Sequence, residues 1–431
     1  MRGVVAACLL GALLACSSGS GTPPPPGDAG MDASDDAGAD AGSDAGEVGT
    51  SVPGDTLGLE ADPPGEWLAG DLHVHSTGAS NDTGGDSSPE EIARVAQERG
   101  LFFVVLTDHS NSTGSDPTTA AEDPALFNMG PEFPYWDRAA ALSEPGRFLM
   151  VDGNELSPIA DGDRPTEPRG HIGCVPADLE TFDRSGAFVD RPRGAVTGGA
   201  CLAQARSRGC FAVVNHPYGT PWTSYDWTDR DYGAMEVWNG TAGLDDFDRA
   251  SHAAWRCDLL AGKRVTAIGA SDNHRVHQAV PGSVLDPALG FPSTSVFAAE
   301  RTWPAIVEGL RAGRVAIHEG ESLALLDGYG ADLHRAEDGT MRWVRVRGGL
   351  DARAGRARLR LVHTRGCDDP RPAVTRPPTP VETLLLERVI EPGARFDLAV
   401  VVAGEPGVYT AVLTAPASHW GAMSRAVVVA P

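Results

Sequence analysis

Short apolar runs alternate with amphipathic stretches between about residues 67 and 320, a pattern that predicts repeated βα units. The runs are LAGDLHV (68–74), LFFVVLT (101–107), RFLMVDG (147–153), HIGCV (171–175), FAVVN (211–215), AMEVW (234–238) and RVTAIGA (264–270). Between the first two, SSPEEIARVAQERG (87–100) carries the marks of a helix at both ends. Ser88 can cap it, Pro89 opens it, Glu91 stands at the third position and Gly100 closes it. ACLAQARSRG (200–209), DDFDRASHAAWRCDLLAG (245–262) and TWPAIVEGLRAG (302–313) read as further helices. About seven repeats result. A closed α/β barrel fits them better than an open sheet, because polar clusters recur at nearly every strand end.

From about residue 321 the period changes to two. MRWVRVRGGL (341–350), RARLRLVHT (356–364), LLLERVI (384–390), FDLAVVVAG (396–404) and GVYTAVLTA (407–415) alternate apolar and polar residues without long helices between them. Residues 321–431 are therefore expected to form a small antiparallel β-sandwich. Their polar residues show no catalytic grouping.

The chain begins differently. MRGVVAACLLGALLACSSGS (1–20) joins an early Arg to an apolar stretch of signal-peptide length, short of the about 20 residues that a spanning helix needs. LLAC at 13–16 resembles the bacterial lipobox. That likeness implies a signal peptide over 1–16 and a lipidated Cys16 as the mature N-terminus, with Ser17 pointing to the outer membrane. The alternative is an ordinary cleaved signal with an incidental cysteine. Residues 17–66, rich in Pro, Gly, Ala, Ser and Asp, have little apolar bulk to bury and read as a disordered tether. Between Asp28 and Glu66 there are eleven acids and no Lys or Arg, so much of the net charge of −24 sits there. This acidity argues against a nucleic-acid partner, which needs clustered basic residues. The expected membrane contact is the lipid anchor, and oligomeric state is not legible. Five cysteines remain beyond the leader: Cys174, Cys201, Cys210, Cys257 and Cys367. An exported protein can pair some of them, and an odd number leaves at least one over.

The candidate chemistry lies where the apolar runs stop. In GDLHVHS (70–76), His73 and His75 project from one face of a strand. LFFVVLTDHS then delivers Asp108 and His109, and RFLMVDGNELS delivers Glu155. RGHIGCV sets His171 at a strand edge, FAVVNHPYG ends in His216, and RVTAIGASDNH carries Asp272 and His274. Any one of these reads as a solvated strand end or a turn former. Their recurrence at successive strand ends has no structural reason, and a barrel would bring them to one mouth. Imidazole with carboxylate suits Zn, Mn or Fe.

The ordered set His-x-His, Thr-Asp-His, Glu, His, Asn-His-Pro, Ser-Asp-x-His resembles the polymerase-and-histidinol-phosphatase (PHP) family over roughly residues 67–320. GDLHVHS, NHP, EVWNG and LRAGRVAIHEG look most like its branch of CehA/McbA-type metallohydrolases. The resemblance implies a distorted (β/α)7 barrel holding two or three divalent metal ions. It assigns His73, His75 and Asp272 to a first metal, Glu155 as a bridge, and His171 and His216 to a second. His109 and His274 would hold a third with a ligand from the first loop. Here HSTGASNDTGGD is about two residues longer than the HSxxSDG of many relatives, and Asp82 is preferred to Asp86.

The implied activity is hydrolysis of phosphoesters by hydroxide, since closely spaced divalent ions lower the pKa of a bound water from 15.7 to about 7. A carboxylic or carbamate ester is the alternative small-molecule substrate, and a non-catalytic metal-binding surface lipoprotein is the alternative of another class. Asp108 would orient an imidazole or pass a proton. Arg275 and Arg169 are candidate anion contacts, and a solvated arginine is the simpler reading of each. Glu236 either orients a ligand imidazole or pairs with an arginine inside the barrel. His252, His277 and His318 fall outside the motif order and are expected to be structural or surface residues.

Overall fold

The computed structural model describes residues 48–53, 64–80, 83, 85–109, 132–158, 170–190, 196–218, 231–240, 243–277, 288–327, 334–335, 342–371, 376–402, 405–415 and 420–429. Cys16, Asp82 and Arg169 lie outside the described residues, as does most of the expected tether.

Strands β1 (Val52–Pro53) and β2 (Glu66–Val74) precede helix α1 (Pro89–Glu98). Then come β3 (Phe103–Leu106), α2 (Trp136–Leu142), β4 (Leu149–Asp152), β5 (Asn154–Leu156) and β6 (His171–Pro176). Helix α3 (Gly198–Arg208) leads to β7 (Cys210–Asn215) and β8 (Ala234–Asn239), and α4 (Asp246–Leu260) to β9 (Thr266–Ala270) and β10 (Ser293–Ala298). After α5 (Trp303–Arg311) and β11 (Val315–His318) the described elements are strands alone. These are β12 (Leu323–Asp327), β13 (His334–Arg335), β14 (Arg342–Gly349), β15 (Ala357–Asp368), β16 (Thr379–Ile390), β17 (Arg395–Val402), β18 (Gly407–Ala415), β19 (Trp420–Ser424) and β20 (Val427–Val429).

The helix ends follow local chemistry. Ser88 Oγ accepts from the Glu91 amide at the start of α1, Thr197 does the same for α3, and Asp245 with Asp248 closes a reciprocal box on α4. Gly209, at φ +88°, takes the left-handed turn that ends α3. Helix α2 has no side-chain cap, and its short WDRAAAL stretch carries too little signal to read from sequence.

The expected (β/α)7 barrel is not what the pairing shows: the protein is mixed α/β and richer in sheet. Parallel β2, β3 and β4 belong to a ten-stranded sheet that continues through β10 and β11 into β19, β18, β15 and β16. A second sheet orders β5, β6, β7, β8 and β9, with β6 antiparallel to both neighbours. Backbone bonds join the strand ends of the two sheets. His75 N donates to Asn273 O and Asp272 N to His73 O, each at 2.9 Å. Gly153 N donates to Leu106 O at 2.7 Å and Glu155 N to Asp108 O at 3.0 Å. The ends of β2, β3 and β9 are thus drawn together with β5.

The C-terminal strands form the two faces of a sandwich. β12, β14 and β17 lie in one sheet, and β15, β16, β18 and β19 in the other. Leu326, Val344, Val346, Leu359, Leu361, Leu386, Val400 and Leu413 meet in one buried cluster between them. The second face continues the ten-stranded sheet that holds β2 and β3, because β19 pairs with β11 through Ala316–Ser424, Ile317–Met423 and His318–Ala422. Disulfide Cys257–Cys367 ties α4 to β15, Cys174–Cys210 ties β6 to β7, and Cys201 is buried and unbridged. Residues 48–53, which lie within the expected tether, cover both sheet edges. Val48 exchanges backbone bonds with Glu387 of β16, the Arg388 guanidinium donates to the carbonyls of Val48 and Gly49 at 2.9 Å each, and β1 pairs with β17.

Glu319, just past β11, is 1% exposed, and its Oε2 has no hydrogen-bond partner among the described residues. Burial pushes its pKa up to about 8. The folded protein therefore keeps this proton where the unfolded chain has lost it. Its contribution is most favourable below the ordinary value of 4.5 and is lost as pH rises from there toward about 8. Glu319→Gln should match the parent near pH ~4 and gain on the order of 1–4 kcal/mol by pH ~8.5. Urea midpoints at the two pH values check this, and an equal difference at both would rule it out.

Candidate metal centre

Eight side chains converge at these strand ends: His73, His75, His109, Glu155, His171, His216, Asp272 and His274. Their donor atoms fall into four overlapping triads, each spanning no more than 4.8 Å. The triads are His73–His75–Asp272, His73–Glu155–His216, His109–Glu155–His171 and His75–His109–His274. Glu155 sits between the middle two. Its Oε1 lies 3.0 Å from His73 Nε2 and 3.4 Å from His216 Nε2, and its Oε2 lies 3.2 Å from Nδ1 of both His109 and His171. His171 and His216, which the family resemblance assigns to one metal, thus face opposite oxygens of one carboxylate.

Each side chain arrives by a local route. The period of two at the end of β2 points His73 and His75 the same way. Thr107, Asp108 and His109 follow β3 directly. His171 is the first residue of β6, and it reaches the cluster because β6 runs backwards, with His171 opposite Asn215. His216 and Asp272 have φ of +27° and +54°, the positive-φ residues other than glycine among those described. Both are donors of the cluster, where such strain collects. The turned amide of His216 donates to Glu236 Oε2 at 2.7 Å.

Buried polar groups behind the donors fix their orientation. Glu236 Oε1 lies 3.2 Å from His73 Nδ1 and accepts a hydrogen bond from that nitrogen, which turns Nε2 inward. Asn239 Nδ2 donates to Glu236 Oε2 at 3.0 Å and to Asp272 Oδ2 at 3.3 Å. Asn215 Nδ2 donates to Glu155 Oε1 at 2.8 Å, and Ser271 supplies its amide and hydroxyl to Asp71 beneath the cluster. Asn215 and Asn239 stand inside the NHP and EVWNG motifs but were given no role from the sequence, and Ser80, whose hydroxyl lies 2.9 Å from His75 Nδ1, was not singled out. Ser80 is a short polar residue near a turn, and nothing in its spacing sets it apart from ordinary loop chemistry.

The electrostatics favour positive charge beside the carboxylates. Burial works against charge on Glu155 and Asp272, yet neighbouring imidazoles outweigh it and hold both carboxyls well below the usual range. Burial likewise opposes charge on His73, and the carboxylates of Asp272, Glu155 and Glu236 still raise its pKa well above the ordinary imidazole value. Burial pushes His75 down to about 3 and His171 to about 4, leaving both neutral and able to donate a lone pair. Two inward ring nitrogens, His73 Nε2 and His75 Nε2, stand 3.1 Å apart beside Asp272 Oδ1. The neutral imidazoles of His75 and His171, with the ionised carboxylates of Glu155 and Asp272, fit a divalent ion.

The cluster has a floor and a rim. His73 and Glu155 side chains are 1% exposed, whereas His171, Asp272 and His274 are 22%, 22% and 19% exposed. Asp108 is fully buried behind Ser80 and Ser76 rather than at the rim. Arg275 is exposed on the turn after His274, and Asp86 is half-buried ahead of α1. His277 pairs with Glu91, His318 bonds Ser295 and the Gly320 carbonyl, and His252 stacks on Trp255, all away from the cluster.

No protein-family model matches the chain, and no curated protein does. Two solved structures are similar at low identity. One is a two-domain protein from Bacteroides vulgatus containing a predicted PHP-like metal-dependent phosphoesterase. It is 16% identical, with 87% of this chain and 97% of that chain covered and a TM-score of 0.38. The other is an Endonuclease Q bound to a 27-mer duplex with an abasic lesion. It is 15% identical, with 63% of this chain and 62% of that chain covered and a TM-score of 0.38. What the centre can do follows from its own donors.

Proposed function

We propose that this chain is a metal-dependent hydrolase of the PHP type that cleaves phosphoesters, using two or three divalent ions of Zn, Mn or Fe. The observation that carries the reading is Glu155, one carboxylate with an oxygen turned toward each of two histidine groups. His73 and His216 would hold one ion with Glu155, and His109 and His171 a neighbouring one with its other oxygen, while Asp272 stands with His73 and His75. His75, His109 and His274 supply donors for a third, with Asp82 as the candidate from the first loop. Ions held there would supply a water-derived nucleophile at neutral pH and neutralise charge on the ester oxygens.

The chain's own residues do the rest. The buried floor of His73, His75 and Glu155 keeps bulk water from the donors, and Glu236 fixes the face that His73 presents. The ester approaches the rim formed by His171, Asp272 and His274, with exposed Arg275 beside it as a candidate anion contact. Two disulfides support an exported protein, and the LLAC motif supports lipidation at Cys16 and attachment to the cell envelope.

Metal-analysed protein should be assayed on aryl phosphate, phosphodiester, carboxylate and carbamate esters. Phosphoesters are expected to turn over fastest, chelation to abolish the activity, and added Mn or Zn to restore it. Unchanged turnover by protein shown to be metal-free would remove the reading. A preference for carboxylate or carbamate esters would keep the centre and replace the substrate.

A further inference from the structure

Asp108 is fully buried and gathers the first loop around its carboxylate. The Ser76 amide donates to Oδ1 at 2.6 Å, the Ser76 hydroxyl to Oδ2 at 2.5 Å, and the Ser80 hydroxyl to Oδ1 at 2.8 Å. A serine hydroxyl has a single proton, so Ser80, having given it to Asp108, can only accept from its other neighbours. Two donors meet it there: His75 Nδ1 at 2.9 Å and the His109 backbone amide at 3.1 Å. The direction of the whole chain is thereby set. His75 must carry its proton on Nδ1 and present the Nε2 lone pair to the cluster. His109 is pinned through its backbone by the same oxygen.

We infer that Asp108, acting through Ser80, is a positioning residue for the outer metal position formed by His75, His109 and His274. The position at His73, Glu155 and His216, the one of the four triads that includes neither His75 nor His109, is oriented separately, by Glu236 and Asn215. The two supports share no residue. Loss of Ser80 should therefore weaken the metals unequally. The inference rests on the metal reading above for its consequence, and on hydrogen-bond direction alone for its cause.

Two measurements test it. In metal-free protein, the ring nitrogen shifts of His75 report which nitrogen is protonated. The Nδ1–H form is expected in the parent and in Ser80→Thr, and a mixture of forms in Ser80→Ala. In Zn titrations against a chromophoric chelator, Ser80→Ala and Asp108→Asn should bind one equivalent about 10–100-fold more weakly. The tightest equivalent should change less than about 3-fold, and Ser80→Thr should restore the parent curve. An Nε2–H form of His75 in the parent overturns the proposal whether or not any variant folds. So does equal weakening of every equivalent, or no weakening at all. A parent that binds no Zn refutes the metal reading instead and leaves the tautomer result standing.

Discussion

Glu155→Ala is expected to empty both inner metal positions together and to lower ester turnover by well over about 100-fold, since even residues that only support a ligand cost 10–100-fold. The two carboxylate oxygens of Glu155 face separate histidine groups, His73 with His216 and His109 with His171. Truncation removes a donor from each group at once. It also removes the negative charge that would attract a cation between the imidazoles. His274→Ala removes a rim donor and should empty mainly the outer position. Elemental analysis after gel filtration checks both variants. Two metals retained per Glu155→Ala chain would refute the bridging role, even if turnover had fallen.

Arg371→Ala should destabilise the fold by about 3 kcal/mol, the size expected when one member of a buried ion pair is deleted. The Arg371 and Asp258 side chains are 0% exposed and 3.1 Å apart. Asp258 also accepts the Tyr232 hydroxyl, and Lys263 lies 3.7 Å away, which keeps the loss near the low end of the range. The pair joins α4 to the segment just after β15, beside the Cys257–Cys367 disulfide. Replacing both residues, as Arg371→Met with Asp258→Leu, should cost less than the two single changes summed, because neither member of this buried pair is left facing an empty place. Asp369, 2.8 Å from Arg371, and Lys263 still lose a partner. Urea unfolding with both disulfides intact provides the comparison, and strictly additive costs would rule out the coupling. Metal content should be unchanged throughout, since neither side chain reaches the cluster.

Local chemistry made much of the centre legible before any fold was known. His73 and His75 share a face because a strand repeats every two residues, and Asp108, His109, His216, Asp272 and His274 follow apolar runs that can only end in polar residues. The caps of α1, α3 and α4 depend on neighbours three residues away, and the C-terminal strands on a simple alternation. Those are short-range rules, and they travel with the sequence.

Other features needed the chain to be brought together across long separations. His171 begins a strand, and only the reversal of β6 carries it to the ends of β2 and β9. Glu155 occupies a short strand whose sequence does not say that its two oxygens will face different histidines. Glu236 and Ser80 bond to imidazoles from other parts of the chain or around a turn, so their role exists only as distances. The sheet passes from β11 into β19 across about a hundred residues, and a pattern read along the chain cannot show which edges will meet. Period and polarity determine what each segment can be. Pairing, strand direction and the aim of each buried proton are decided by which segments pack together, and on those the metal centre depends.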